Sequence, residues 1–229
     1  MGQQNLNEYF TDLLQKVDLQ IQDFEDNNND PFSLCKQVID YLQEIIGELK
    51  TFIISYSFTS KEEEIYFFKE QKPIIASKII YYNTVYQFEL RFPNGSEETQ
   101  KEFIMAETDR ILAHFQRNIS FYQYYRTKAT YLDHKYFLRG KPDIHILIDN
   151  FYYEADPQFS TSYDYKVAKI LAIELFAIYL TNRLNELERR FQRQQVKNGN
   201  IKKLLRWTGT KRALVELIYA LYTNGDFNK

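Results

Sequence analysis

The residues that most often carry catalysis or bind metal ions are few and poorly spaced in this 229-residue sequence. Its three histidines, at positions 114, 134 and 145, have no spacing that suits a metal site. Cys35 is the only cysteine, which excludes a disulfide framework and a cysteine-based zinc module, and we expect it to be a buried structural thiol. Asp133 and His134 are adjacent and could form an acid–base pair, but a surface or helix-capping role is the favoured interpretation.

No common catalytic or nucleotide-binding motif is present in the sequence. Gly209-Thr210-Lys211 lacks the Lys-Ser/Thr ending of a P-loop, and no G-x-G-x-x-G or G-x-S-x-G pattern occurs. The acidic clusters at 62–64 and 97–98 fall in the first turns of predicted helices, where the helix dipole accounts for them. The sequence therefore predicts a protein that is not an enzyme, with no catalytic residues, no metal site and no cofactor.

Tyrosine and phenylalanine are abundant, and tyrosine doublets occur at 81–82, 124–125 and 152–153. Exposed aromatic rings can stack on the bases of single-stranded nucleic acids. Rings that pack in a core with the hydroxyl group at its rim are more common in proteins, and this is the interpretation we favour.

Charge is distributed unevenly along the chain, although the net charge is only −2. Residues 183–212 contain ten Lys or Arg and two Glu, a net charge of +8, so the remaining residues carry −10. A basic stretch joined to an acidic body is typical of a protein that uses one part to bind a polyanion. The same stretch could instead be the solvated basic end of a helix, which the helix dipole favours. Both interpretations stay open on charge alone.

Hydrophobic periodicity, together with the scarcity of Gly (7) and Pro (5), predicts a mostly α fold built as a multi-helix bundle with long helices. The segments 52–58 and 144–153 suit either a strand or a buried helix. The predicted helices cover 6–24, 33–49, a segment opened by a capping box at Ser60, a segment that begins at Pro73, 96–137 with a break near 118–121, and 163–195.

The last predicted helix has the clearest pattern in the chain. Apolar residues recur in steps of three and four from Ile170 to Phe191, as in the heptad seam of a helix pair. Beyond Thr181 only this seam remains apolar, and it is expected to pack within the chain or to form a homodimer. The candidate interaction residues are Leu180, Leu184, Leu187 and Phe191.

Residues 197–200, Lys-Asn-Gly-Asn, form a natural boundary between a helical domain at 1–198 and a small C-terminal unit at 199–229. The most apolar stretch, 165–180, is interrupted by Lys166, Lys169 and Glu174, so no membrane span is predicted. The N-terminus has neither the basic region nor the apolar region of a signal peptide. We therefore expect a soluble, cytoplasmic protein.

Several blocks of this sequence resemble the RteC family, regulators carried by Bacteroides conjugative transposons. In the C-terminal unit these are LLRWTGTK at 204–211, ELIYAL at 216–221 and GDFN at 225–228. Upstream, similar blocks occur in the same order from about residue 60 onward, and they are EIYFFKEQKP at 64–73, IIYY at 79–82, FYQYYR at 121–126 and LD at 132–133.

This resemblance implies a DNA-binding activator of transposon excision genes, part of a tetracycline-responsive cascade, with promoter DNA as its partner. It also implies a helical N-terminal domain and a C-terminal winged helix. Residues 199–229 supply one strand at 203–207 and one helix at 211–223, so the winged-helix element is expected to be incomplete. The candidate DNA-binding residues are Lys202, Lys203, Arg206, Lys211 and Arg212.

A helix as short as 211–223 is marginal in water without tertiary packing. Its apolar stripe should therefore dock on the helical body or on another chain. We expect Trp207 and Leu217 to be buried, and Arg206, Lys211 and Arg212 to be exposed.

Overall fold

A computed structural model describes residues 5–140 and 156–197. Most of these residues are in helices, and none of them is in a β-strand. In chain order the elements are α1 (Leu6–Asn27), α2 (Pro31–Ser55), α3 (Lys61–Tyr66), a π-helical turn (Phe67–Gln71), α4 (Lys72–Arg91), α5 (Glu97–Arg117), α6 (Ile119–Arg126), α7 (Asp133–Tyr136) and α8 (Asp164–Lys197).

The mostly α fold predicted from the sequence is confirmed over this part of the chain. The winged-helix element, the ambiguous segment 144–153 and the predicted burial of Trp207 and Leu217 lie outside the described residues. The chain divides into two compact units, Met1–Leu184 and Asn185–Lys229. All the contacts described below for α1–α7 belong to the first unit.

Helices α1 and α2 are joined by a connection of only three residues, 28–30. Asn5 caps α1 by accepting a hydrogen bond from the Asn7 N–H, and Asp30 caps α2 by accepting from the Ser33 N–H. Pro31 occupies the first turn of α2, where its missing N–H costs nothing. One apolar face of each helix is buried, and Cys35 on α2 is only 2% exposed, as expected.

The segment 52–58, which suited either a strand or a helix, ends α2 at Ser55 and continues as a non-helical connection to Ser60. The Ser60 hydroxyl accepts a hydrogen bond from the Glu63 N–H at 3.1 Å, which confirms the predicted cap of α3. The Glu63 carboxylate does not complete the capping box on Ser60 itself. It accepts instead from the Thr59 N–H at 2.6 Å and from the Tyr56 hydroxyl at 2.8 Å.

Helix α4 begins at Lys72 with Pro73 in its first turn, close to the expected start, but no break precedes it, because α3, the π-helical turn and α4 form one continuous run from Lys61 to Arg91. At the end of the π-helical turn the Lys72 N–H donates to the carbonyl of Phe67, five residues back. Pro73 follows at once and has no N–H to donate. The wider turn lets the helix continue through the proline, and it places Lys69 and Lys72 on the buried side.

The predicted break near 118–121 is confirmed, since α5 ends at Arg117 and α6 begins at Ile119. The helical pattern does not continue to Phe137, however. Helix α6 ends at Arg126, a turn follows, and the short α7 packs near α3. Phe88 of α4 lies 5.4 Å from the Phe103 ring of α5 and 5.7 Å from the Phe176 ring of α8, so α4 is the central helix on which both pack.

Candidate functional site

The described part of the basic stretch is the C-terminal half of α8. Arg189, Arg190 and Arg193 are all exposed on this helix. The candidate DNA-binding residues Lys202, Lys203, Arg206, Lys211 and Arg212 lie outside the described residues. Exposed guanidinium groups on a helix can reach phosphate oxygens with several N–H donors each. The described end of α8 is therefore suited to bind a polyanion.

Arg183, the first basic residue of the stretch, has a different role. Its Nε donates to Glu89 Oε1 of α4 at 3.0 Å, and its guanidinium lies 4.6 Å from the centroid of the Phe92 ring. The Tyr179 hydroxyl donates to the same carboxylate at 2.5 Å. Burial and this hydrogen bond raise the pKa of Tyr179 above its ordinary value. Arg183 therefore anchors α8 on α4.

The seam of α8 is partly covered in a single chain. Leu180 and Leu187 are each 2% exposed. Leu184 and Phe191 are half-buried, and so is Ala177 one heptad before Leu184. These three half-buried residues share one line along the helix, since they are spaced by seven.

The π-helical turn places a buried lysine between α6 and α7, a feature that sequence reasoning missed. Lys69 is 5% exposed, and its Nζ donates to Asp133 Oδ1 at 2.8 Å and to the Ala129 carbonyl oxygen at 2.9 Å. The Tyr124 hydroxyl donates to the same Asp133 oxygen. The amine also lies 5.3 Å from the centroid of the Tyr124 ring and 5.7 Å from that of Phe137.

Lys72 forms a second buried pair, with the first residue of α8. Its Nζ donates to Asp164 Oδ2 and to the Phe159 carbonyl oxygen, both at 2.5 Å. The amine lies 4.3 Å from the centroid of the Phe159 ring. Asp164 is 3% exposed, so the pair is almost fully removed from water. This contact fixes the start of α8 to the start of α4.

Both lysines donate to protein oxygens and lie next to aromatic rings, so their hydrogen-bond partners are within the protein. Removing one partner of such a pair would leave an uncompensated buried charge. The two lysine pairs therefore have a structural role. Lys69 holds the α6–α7 connection, and Lys72 holds the start of α8. Within residues 5–140 and 156–197, no group of three or more His, Cys, Asp or Glu side chains is placed to hold a metal ion.

The predicted surface or capping role of Asp133 is wrong. Asp133 is 8% exposed and accepts from Lys69 and Tyr124, whereas its neighbour His134 is exposed. A lysine at 69 and an aspartate at 133, each within an aromatic-rich segment, were the available signals for this pair. Their separation of 64 residues hides the pairing from any local pattern.

The two tyrosine doublets that the structure describes support core packing. Tyr82 is 6% exposed and its hydroxyl donates to Glu25 Oε1 at 2.7 Å, and Tyr124 is 4% exposed. Burial, together with hydrogen bonds to carboxylates, raises the pKa of both side chains. The doublet at 152–153 lies outside the described residues.

No helix in the described part of the chain is long and apolar enough to cross a membrane. No curated protein and no solved structure matches this sequence. The family described as RteC protein matches residues 66–229, from the end of α3 across the π-helical turn to the last residue. The match covers most of the chain and both buried lysine pairs, so this protein belongs to the RteC family.

Proposed function

We propose that this chain is a DNA-binding transcriptional regulator that activates excision genes of a conjugative transposon. The observation that carries the proposal is the RteC match, which extends over residues 66–229 and includes the whole basic stretch at 183–212. No step of catalysis is assigned to it, and neither a metal nor a cofactor is required. Its proposed place of action is the cytoplasm, where promoter DNA is accessible.

The charge distribution supports binding to double-stranded DNA. The stretch 183–212 carries +8 and the rest of the chain −10, so the strongest attraction for a duplex is expected in this stretch. Arg189, Arg190 and Arg193 are exposed and suited to phosphate contacts. Such contacts fix the orientation of a protein on the duplex but carry no sequence information. Lys202, Lys203, Arg206, Lys211 and Arg212 are the residues proposed to extend this interface.

The test is a mobility-shift titration of the full chain on promoter DNA at several salt concentrations. Several phosphate contacts should weaken binding by orders of magnitude between about 50 and 200 mM salt. The variant K202Q/K203Q should bind more weakly and with a smaller salt slope. The matched control K16Q/K36Q removes two exposed lysines of α1 and α2 and should bind like the unmodified protein. Absence of any shift by the unmodified protein at low salt would contradict the proposal.

A second candidate function is a helical module that pairs two chains through α8. The specific observation is the line of half-buried residues Ala177, Leu184 and Phe191. The two functions are compatible, since many regulators bind DNA as two-fold dimers. Sedimentation of the unmodified protein and of Leu184→Asp tests the module. A dimer that dissociates in the variant is expected, and a monomer in both samples excludes it.

A further inference from the structure

A second basic surface lies on the helical body, at the connection between α6 and α7. We call Arg126, Lys128, Tyr131 and Lys135 the α6–α7 surface. All four are exposed, and Tyr131 is the most exposed large apolar or aromatic side chain in the described part of the chain, at 78%. Over residues 117–136 the sequence has four Lys or Arg and one acid, Asp133, although the protein as a whole is acidic.

The single acid in this segment does not reduce the positive charge at the surface. Asp133 points into the protein, where Lys69 compensates its charge at 2.8 Å. The side chains of both are about one-tenth exposed or less. The charges of Arg126 and Lys128 therefore remain uncompensated by this carboxylate and are directed to solvent.

The connection is held in a defined conformation. The Lys128 N–H donates to the Tyr125 carbonyl at 3.0 Å, and the Ala129 N–H donates to the Tyr124 carbonyl at 3.1 Å, the pair of bonds that defines a Schellman motif. The Ala129 carbonyl in turn accepts from buried Lys69. The Tyr131 ring packs edge-on against Tyr124 at 5.3 Å. The exposed groups are thus arranged in advance by the core beneath them.

Lys128 occupies the position of this motif that glycine normally fills. Its φ angle is +52°, and it is the only residue other than glycine with positive φ among the described residues. A lysine is strained in this left-handed conformation, whereas glycine is not. The motif therefore carries an exposed charge at the expense of stability, and strain of this kind is often retained where a residue has a functional role.

Arg126 is also held in place, and several N–H donors of its guanidinium remain available. Its Nη1 donates to the Tyr122 hydroxyl at 3.0 Å, and its guanidinium lies 5.5 Å from the centroid of that ring. A guanidinium has five N–H donors in a fixed plane, so most of them remain for an external acceptor. The Tyr131 hydroxyl adds one further exposed donor. The exposed Glu174 carboxylate accepts from the Tyr122 hydroxyl at 3.3 Å, so it lies near Arg126. Lys128 and Tyr131, by contrast, are on the turn beyond it. Exposed cations together with a tyrosine hydroxyl match phosphate oxygens.

We propose that the α6–α7 surface is a second contact for the phosphate backbone of duplex DNA, separate from the basic stretch at 183–212. The inference rests on the proposed function, since it assigns a further contact to the same duplex. It adds affinity and no base recognition, because contacts with phosphate oxygens carry no sequence information.

The experiment measures the affinity of the full chain for a labelled promoter duplex by fluorescence anisotropy over a range of salt concentrations. The variant R126Q/K128Q should reduce the slope of log K against log salt by about 2, roughly 1 for each lost phosphate contact. K16Q/K36Q is the control for loss of two charges and should leave the slope unchanged. Lys128→Gly separates charge from folding, because it should raise Tm and still weaken binding.

The outcomes separate this inference from the proposed function. A slope unchanged in R126Q/K128Q but reduced in K202Q/K203Q overturns the inference and leaves the proposed function intact. No binding by the unmodified protein contradicts both. A labelled thymidine single strand that binds more tightly than the duplex, and loses that advantage in Tyr131→Leu, would also overturn the assignment to duplex DNA, because it would indicate base stacking.

Discussion

Lys69 and Lys128 lie on two sides of the same turn and have opposite roles. Lys69, on the π-helical turn, is 5% exposed and binds the Ala129 carbonyl and Asp133. Lys128, the neighbour of Ala129, is exposed and sits in a left-handed conformation. One lysine fixes the backbone of the turn, and the other presents its charge on the surface of that turn.

This comparison shows that burial, and not residue type, decides what a cation does in this protein. A buried amine has already lost its water, so it requires close oxygen partners and cannot exchange them for a ligand. An exposed amine gains little from nearby charges within the protein and remains able to bind a polyanion. Removing the charge of a buried cation should therefore affect folding, whereas removing the charge of an exposed one should affect mainly binding.

The largest effect is expected for Lys72→Met. This change leaves Asp164 buried without its partner and should lower the free energy of unfolding by about 3–5 kcal/mol. Replacing both partners, in K72M/D164L, should recover most of the loss. Lys78→Met is the control, because the Lys78–Asp18 pair is more exposed and should contribute about 1 kcal/mol or less. Urea unfolding measures all three, and similar losses for Lys72 and Lys78 would contradict the comparison.

Tyr124→Phe should give the next largest effect. It removes a hydrogen bond to the buried Asp133 carboxylate while Lys69 remains bound, and should cost about 1.5–3 kcal/mol. Tyr131→Phe removes a hydroxyl from an exposed ring and should change the unfolding free energy by less than about 0.5 kcal/mol. Equal effects in the same denaturant titration would mean that the Tyr124 hydroxyl is not part of a buried pairing.

Burial should also be visible in the dependence of stability on pH. Burial, with smaller contributions from Glu89 and Asp30, raises the pKa of the Cys35 thiol from 9.0 to about 11. The folded state therefore holds its proton where the unfolded state has lost it, and stability should fall as pH rises from 9 to about 11. The difference in unfolding free energy between the unmodified protein and Cys35→Ala should shrink by about 1 kcal/mol per pH unit in this range.

Tyrosine ionisation is common to both proteins in that measurement and cancels in the difference, except for Tyr81 and Tyr82, whose raised pKa values include a contribution from the charge of Cys35. A difference that stays constant from pH 8 to 11 would show that the Cys35 thiol is not protected by folding.

The smallest effect, and the only one with a stabilising sign, is expected for Lys128→Gly. Relief of the left-handed strain should raise the free energy of unfolding by up to about 1 kcal/mol. Lys135→Gly, in α7, should instead lower it by about 0.5–1 kcal/mol, because glycine is unfavourable inside a helix. Thermal unfolding distinguishes the two signs, and a destabilised Lys128→Gly would show that the lysine side chain itself supports the turn.

The sequence alone determined the features that depend on neighbours three or four residues apart. The buried face of α1 follows from the spacing of Leu6, Phe10 and Leu13, and the Ser60 cap and the break at Asn118 follow from local residue preferences. Cys35 was correctly expected in the core for the same reason. The family blocks, which are also local strings of residues, led to the RteC family.

Only the tertiary structure decided which charged residues are buried and which partners they bind. Lys69 meets Asp133 across 64 residues and Lys72 meets Asp164 across 92, and no periodicity connects such distant positions. The π-helical turn joins α3 to α4 without a break, and the usual interpretation of Pro73 as a helix start does not indicate this continuity. Exposure is likewise a tertiary property, because the residue type does not determine whether a lysine lies in the core or on the surface.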